Sequence, residues 1–139
     1  MMVVKNVVLM ALLVFGGTCC SPWQNTGSQN DEPNMFMGQV AENEYEVQII
    51  DHGFKKWFTA NARPVNFYTQ EYYELINDRY ARAWNEKVAS KRFGSINSPF
   101  QSRIDYDPTI DYGLEIDYIL FYYFKYIEHR YGHQYKFPG

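Results

Sequence analysis

Cysteine is nearly missing from this chain. Its two cysteines, Cys19 and Cys20, are adjacent, and none follows them. Neighbouring cysteines are badly placed to bridge each other, so no disulfide framework staples the domain. Concentrated positive charge is missing as well. The formal net charge is −3 and the pI is ≈ 5.6, with no cluster of Lys and Arg, which excludes a protein that binds nucleic acid through its phosphates. No apolar run reaches the roughly 20 residues that a membrane-spanning helix needs. The sequence also contains no HExxH pattern and no Ser or Cys nucleophile set beside a histidine. Without a motif that names a reaction, the reading assigns no catalytic residue, no metal ligand and no cofactor.

What is present begins at the N-terminus. Lys5 precedes the apolar run VVLMALLVF (residues 7–15), and GGTCC follows. A positive residue, a short apolar run and small residues before a boundary predict a secretory leader over residues 1–19. A cysteine at that boundary resembles the bacterial lipobox, in which the cysteine is acylated and becomes the mature N-terminus. Cys19, or else Cys20, is the candidate lipid attachment. Leu is usual three residues before such a cysteine, whereas Gly16 and Gly17 hold those places here. The alternative is ordinary leader cleavage to a soluble exported protein. Residues 20–43, rich in Ser, Pro, Asn, Gln and Gly, read as a flexible tether, which leaves residues 44–139 as one small globular domain.

Aromatic residues make up 19% of the chain, with 13 Tyr and 10 Phe, so its core must be built from rings. The pattern predicts an α+β fold, mainly α, with two long amphipathic helices at about 69–89 and 111–131. A short helix at 54–61 and a small strand element near 45–51 complete it. Tyr45 to Asp51 alternates apolar and polar residues, as a half-buried strand does. Thr69 caps the first long helix, whose apolar positions are Tyr72, Tyr73, Ile76, Tyr80, Ala83 and Trp84. Glu71, Glu74, Asp78, Arg82 and Asn85 form its solvated face, with Asp78 and Arg82 paired one turn apart. The second turns Ile116, Ile119, Leu120, Tyr123 and Ile127 inward and ends near Gly132.

Between the helices one triplet occurs three times at a step of six: Ile104-Asp105-Tyr106, Ile110-Asp111-Tyr112 and Ile116-Asp117-Tyr118. Six residues turn a helix by about 600°, so the copies cannot share one helical face. Pro108 and Gly113 argue against a continuous strand. Counted as a calcium loop from Asp105, position 6 is Ile110 instead of Gly and position 12 is Ile116 instead of Glu, so no EF-hand forms. The first triplet is read as extended, the second as a helix entrance capped by Asp111, and the third as helical. Arg63, Arg103, Asp105 and Asp111 are candidates for an ion-pair network. Tyr118, Phe121 and Tyr122 lie off the second helix's core face and form a candidate ligand or partner surface. His129 and His133 stand four apart, a chelating spacing if one helix carries both, but Gly132 between them predicts a helix end. His52 reads as an exposed turn histidine.

The phrases IIDHGFKKWFTANARP, YARAWN and RIDYDPTIDYGLEIDYILFYYF resemble an uncharacterised family of small exported Bacteroidota proteins, read as lipoproteins, over about residues 45–131. The resemblance implies envelope residence, on the periplasmic side of the outer membrane if lipidated and in the periplasm otherwise, and lends no activity. The leading expectation is therefore a non-enzymatic binding or structural module. It is held to the membrane by its N-terminal lipid, and its partner is an envelope protein or a glycan. The alternatives are a small periplasmic hydrolase or metal-dependent enzyme that uses Asp105 and Asp111 with a histidine, and a glycan-binding module that uses exposed Tyr118, Phe121 and Tyr122.

Overall fold

The computed structural model describes residues 2–5, 34–42, 44–90 and 98–138. Three antiparallel strands, β1 (Met2–Lys5), β2 (Asn34–Ala41) and β3 (Glu44–Ile50), form a sheet in the order β1-β3-β2. Three helices follow: α1 (His52–Asn61), α2 (Gln70–Ala89) and α3 (Leu114–Tyr135), with a single 3₁₀ turn at Val65–Phe67. The class is α+β, mainly α, as the sequence predicts.

Each helix start has a local cause. Asp51 ends β3 in extended backbone, and its Oδ1 accepts from the backbone N–H groups of Gly53 (2.7 Å) and Phe54 (3.1 Å), which starts α1 two residues earlier than the ring pattern implied. Thr69 caps α2 through the N–H of Tyr72. The entrance to α3 differs from expectation. Asp111 does not cap it; its Oδ1 accepts from the N–H of Gly113, and Gly113, at φ 86°, is the residue from which the helix springs at Leu114. The tight approach turn uses the carboxylate two residues before the cap position.

The far end of α3 also departs from the sequence reading. Gly132 does not end the helix, which runs on to Tyr135 and stops at Lys136 in the left-handed region (φ 49°). A β-carbon at Gly132 would lie 3.4 Å from the backbone oxygen of Phe137. The glycine is there so that the C-terminal residues can fold back closely, not to break the helix. The return carries Phe137 into the core against Tyr80, Trp84, Phe100 and Phe124.

One further expectation needs correction. Residues 34–41, read as part of the tether, form β2. Met-Phe-Met carries no apolar–polar alternation, yet Met35 is buried and Phe36 exposed because pairing with β3 sets the faces. In the uncleaved chain Met2–Lys5, within the expected leader, pair with Glu46–Ile49 of β3. The rest of the leader and Cys19 and Cys20 lie outside the described residues.

The core centres on α3. Ile116, Ile119, Leu120, Tyr123 and Ile127 are buried as expected, but so are Asp117, Phe121, Tyr122, Phe124 and Tyr126, so the middle of the helix is enclosed all round. α2 packs on one side, α1 on another, and β3 and β1 on a third. α1 runs antiparallel to α3: Phe54 meets Tyr123 and Tyr126, Trp57 meets Tyr126 and His129, and Phe58 meets Tyr118 and Tyr122. The inner face of α2 is Tyr73, Asn77, Tyr80, Ala81 and Trp84. It is rotated from the predicted face, with Tyr72 left outside and a polar residue, Asn77, inside.

Phe137 fills a ring-lined slot, so Phe137→Ala should cost about 3 kcal/mol or more and lower the midpoint of thermal unfolding by several degrees. Differential scanning calorimetry checks this; an unchanged midpoint would mean that the C-terminal return contributes nothing.

Candidate functional site

Two places hold chemistry-bearing or recognition-capable side chains, and they differ in kind. The first is a polar cluster between α2 and α3. Asn77 Nδ2 donates to the backbone oxygen of Asp117 (2.9 Å) and to its Oδ1 (3.3 Å), and the Tyr106 hydroxyl donates to the same Oδ1 (2.8 Å). Asp117 is 0% exposed. Burial pushes its carboxyl up to about 6, against the hydrogen bonds from Tyr106 and Asn77 that lower it, with the Glu74 and Asp111 charges adding to the rise. Tyr106 is raised in turn, first by burial and then by the Asp117 charge. Asp117 Oδ2 and Asn77 Oδ1 have no protein donor. A proton on the carboxyl makes Oδ2 a donor, and that is the form burial favours.

Above this cluster, Gln70 Nε2 bridges Glu74 Oε1 (3.0 Å) and Asp111 Oδ1 (2.7 Å) at a shallow hollow lined also by Glu71 and Pro108. The three aspartates of the triplet repeat therefore occupy three different settings. Asp105 is exposed in the loop, Asp111 is exposed at the helix entrance, and Asp117 is sealed inside. The partners of Asp111 and Asp117 are amides and a phenol, not arginines. None of Arg63, Arg103, Asp105 and Asp111 pairs with another; the ion pairs formed among the described residues are Arg82–Asp78, Lys125–Glu128 and Arg130–Asp51. The expected network is absent because Arg63 instead lays its guanidinium over Phe67, 4.3 Å from the ring centroid.

Histidines do not join the acids. From Leu114 to His129 is 15 residues of helix, about 22 Å, so His129 and His133 sit at the far end of α3 from Asp111. His52 opens α1 near Tyr126, also remote from the helix entrance. Among the described residues no group of three or more His, Cys, Asp or Glu side chains is arranged to hold a metal. The arrangement at Asp117 can bind or release a proton near neutral pH, but among the described residues no Ser, Cys or His side chain bonds to it.

The second place is an apolar ridge on the surface. Phe67 (46% exposed), Tyr72 (39%) and Leu75 (61%) project from the 3₁₀ turn and the first turns of α2. Tyr68 joins them, edge-on to Phe67 (4.7 Å) and stacked on Tyr72 (4.3 Å between centroids, 25° between planes). The backbone under the ridge is fixed by three tyrosines. Tyr118 Oη donates to the Arg63 oxygen (2.7 Å), the Arg63 N–H donates to Tyr122 Oη (2.9 Å), and Tyr73 Oη donates to the Val65 oxygen (3.1 Å). This corrects the predicted surface of Tyr118, Phe121 and Tyr122. Phe121 and Tyr122 are each 5% exposed and Tyr118 is half-buried, because α1 and the Arg63–Tyr68 segment cover them. Of the three rings, only Tyr118 keeps part of its surface exposed. Sequence reading missed the true ridge because Tyr72 was counted inside and Leu75 matched no face. Only the excess of apolar residues around α2 hinted at it.

A third polar knot braces the domain. Asp51 accepts from Tyr126 Oη (3.2 Å), which accepts from Arg130 (2.6 Å) while that guanidinium lies 3.7 Å from Asp51 Oδ2. A β-carbon on Gly53 would collide with the Tyr126 hydroxyl.

A model of one protein family matches residues 7–137. The chain belongs to the family of unknown function DUF6146. No curated protein and no solved structure matches it. Membership in DUF6146 agrees with the expected resemblance to a domain of unknown function, and brings no activity with it. No helix among the described residues is long and apolar enough to cross a membrane.

Two outcomes follow from these sites. Asp117 carries a folded-state pKa near 6 against an unfolded value near 3.8, so the folded state holds the proton more tightly. The cost of burying the charge is absent below about pH 4, grows as pH rises to about 6 and is complete above it, on the order of 2–3 kcal/mol. Asp117→Asn should flatten that slope and raise stability at pH 8 relative to the native chain, as urea unfolding at pH 5 and pH 8 would show. Equal slopes in the two proteins would refute the assignment. Gly53→Ala should lower stability by more than 1 kcal/mol through displacement of Tyr126 and loss of its bonds to Asp51 and Arg130, read by the same titration.

Proposed function

We propose that this DUF6146 chain is a non-enzymatic binding or structural module of the cell envelope, and that its contact surface is the ridge of Phe67, Tyr68, Tyr72 and Leu75. The observation that carries the reading is the combination of exposed apolar side chains with a clamped backbone. A preset surface binds without having to order itself first, and contiguous exposed apolar groups cost a soluble domain unless something covers them. The partner this fits is a protein with a complementary apolar groove.

Envelope residence rests on the sequence: Lys5, the apolar run at 7–15, and Cys19 or Cys20 as the acylated N-terminus, with the domain facing the periplasm from the outer membrane. Cleavage there removes Met2–Lys5 and leaves β2 and β3 as a two-stranded sheet, one edge of β3 open. β3 keeps its place because Val47 and Ile49 are buried in the core shared with α3.

Native mass spectrometry of the chain extracted in mild detergent from its own membrane tests both parts. The expected species begins at Cys19 or Cys20, carries acyl chains and arrives with a second polypeptide. Leu75→Ser with Tyr72→Ser should release that polypeptide while the midpoint of thermal unfolding stays within about 2 °C, since both side chains are exposed. A chain that keeps residues 1–18 defeats the tether. A chain that arrives alone, or a double variant that retains its companion, defeats the ridge as contact surface.

A further inference from the structure

The continuation of α3 past Gly132 changes what the two C-terminal histidines can do. His129 and His133 now belong to one unbroken helix, one turn apart on the same face, with their α-carbons about 6 Å apart along the axis. Both are exposed. Neither imidazole donates to or accepts from a protein group, so all four ring nitrogens are open to a ligand. One of the rings is already positioned: His129 packs against Trp57 at 6.0 Å between centroids with 31° between planes.

The neighbouring charges are spoken for. Arg130, between the two histidines in sequence, bonds the Tyr126 hydroxyl and lies over the Tyr126 and Tyr131 rings, with its guanidinium drawn toward Asp51. Glu128 accepts from Tyr80 and Lys125. Among the described residues, Glu128 Oε2 and the Arg130 guanidinium are thus engaged elsewhere.

We propose that His129 and His133 form a bidentate surface site for a borderline divalent cation, copper(II) in preference to zinc(II), with water in the remaining positions. Imidazole nitrogen suits these ions, and two of them at i and i+4 on a helix meet one metal. Copper(II) lies above zinc(II) in the affinity order that a nitrogen site follows. The site is independent of the ridge, which lies at the other end of the α2–α3 pair, and it needs no acid from the triplet loop.

The test is a copper(II) titration of the full chain with Cys19 and Cys20 alkylated, so that thiols neither bind nor reduce the ion. The result expected is one copper per chain, a paramagnetic resonance spectrum with two equatorial nitrogens, and quenching of tryptophan emission through Trp57. His129→Ala and His133→Ala should each weaken binding by about 100-fold, because the second ligand is then no longer supplied at high effective concentration. His52→Ala should bind as the native chain does, and Trp57→Phe should lose most of the quenching while it keeps the two-nitrogen spectrum. Both histidines are exposed, so the variants should unfold at the native temperature, which calorimetry checks. Binding that survives either histidine variant at native affinity, or a spectrum with fewer than two nitrogens, overturns the site.

Discussion

The enclosure of α3 is the constraint on which the rest of the structure depends. A helix that carries Tyr118, Tyr122, Tyr123 and Tyr126 and is covered on every side brings phenolic hydroxyls into the interior, where each unbonded one is costly. Most of the joints between elements are answers to that demand. Tyr118 and Tyr122 bind the Arg63 backbone and so fix the exit of α1. Tyr126 binds Asp51 and so fixes the end of β3 and the start of α1 together. Asp117, on the same helix, fixes the triplet loop through Tyr106 and α2 through Asn77. Tyr123 alone keeps a buried hydroxyl without a partner, and its burial holds it strongly neutral. Ring burial supplies the driving force, and the hydroxyls supply the register at which the elements lock.

Much of this was legible in the residues themselves. The Thr69 cap, the inward positions of α3 and the strand at Tyr45–Asp51 follow from side-chain type and spacing, which act within a few residues. What was not legible depends on contacts distant in sequence. Asn77 looks like a surface residue until Asp117 stands opposite it, 40 positions away. Asn85 was placed on a solvated face, but both ends of its amide bond the backbone of Ile104. Gly132 has the look of a helix stop, and only the returning Phe137 shows why a glycine lies inside a helix. β2 has no alternation of its own, since an edge strand takes its faces from its neighbour. The candidate surface failed for a related reason. Counting rings on α3 shows that more than one layer must cover it, but does not show that α1 and the Arg63–Tyr68 segment provide that cover.

The same arithmetic of partners bears on function. Among the described residues, Asp51, Asn77, Tyr106, Asp117, Tyr122 and Tyr126 each bond across two elements, which helps a small domain without disulfides hold three helices in one arrangement. A catalytic centre needs the reverse: polar groups held apart from one another and open to a substrate. Asp117 has the shifted titration of a working acid, yet its neighbours Tyr106, Asn77 and Glu74 account for its setting, and it is sealed. On the proposed reading, recognition falls to the exterior, where side chains are free of structural duty. Two exterior features stand out by that criterion. The ridge at Phe67–Leu75 exposes apolar groups that stabilise nothing by being exposed. The His129–His133 pair presents imidazoles that no protein group engages. They lie at opposite ends of the helix pair, and each is mounted on a segment that buried tyrosines hold still: Tyr118, Tyr122 and Tyr73 beneath the ridge, Tyr126 beneath the last turns of α3. An aromatic core of this kind bonds its own hydroxyls across elements, and by the same contacts holds the segments under both exterior features in place.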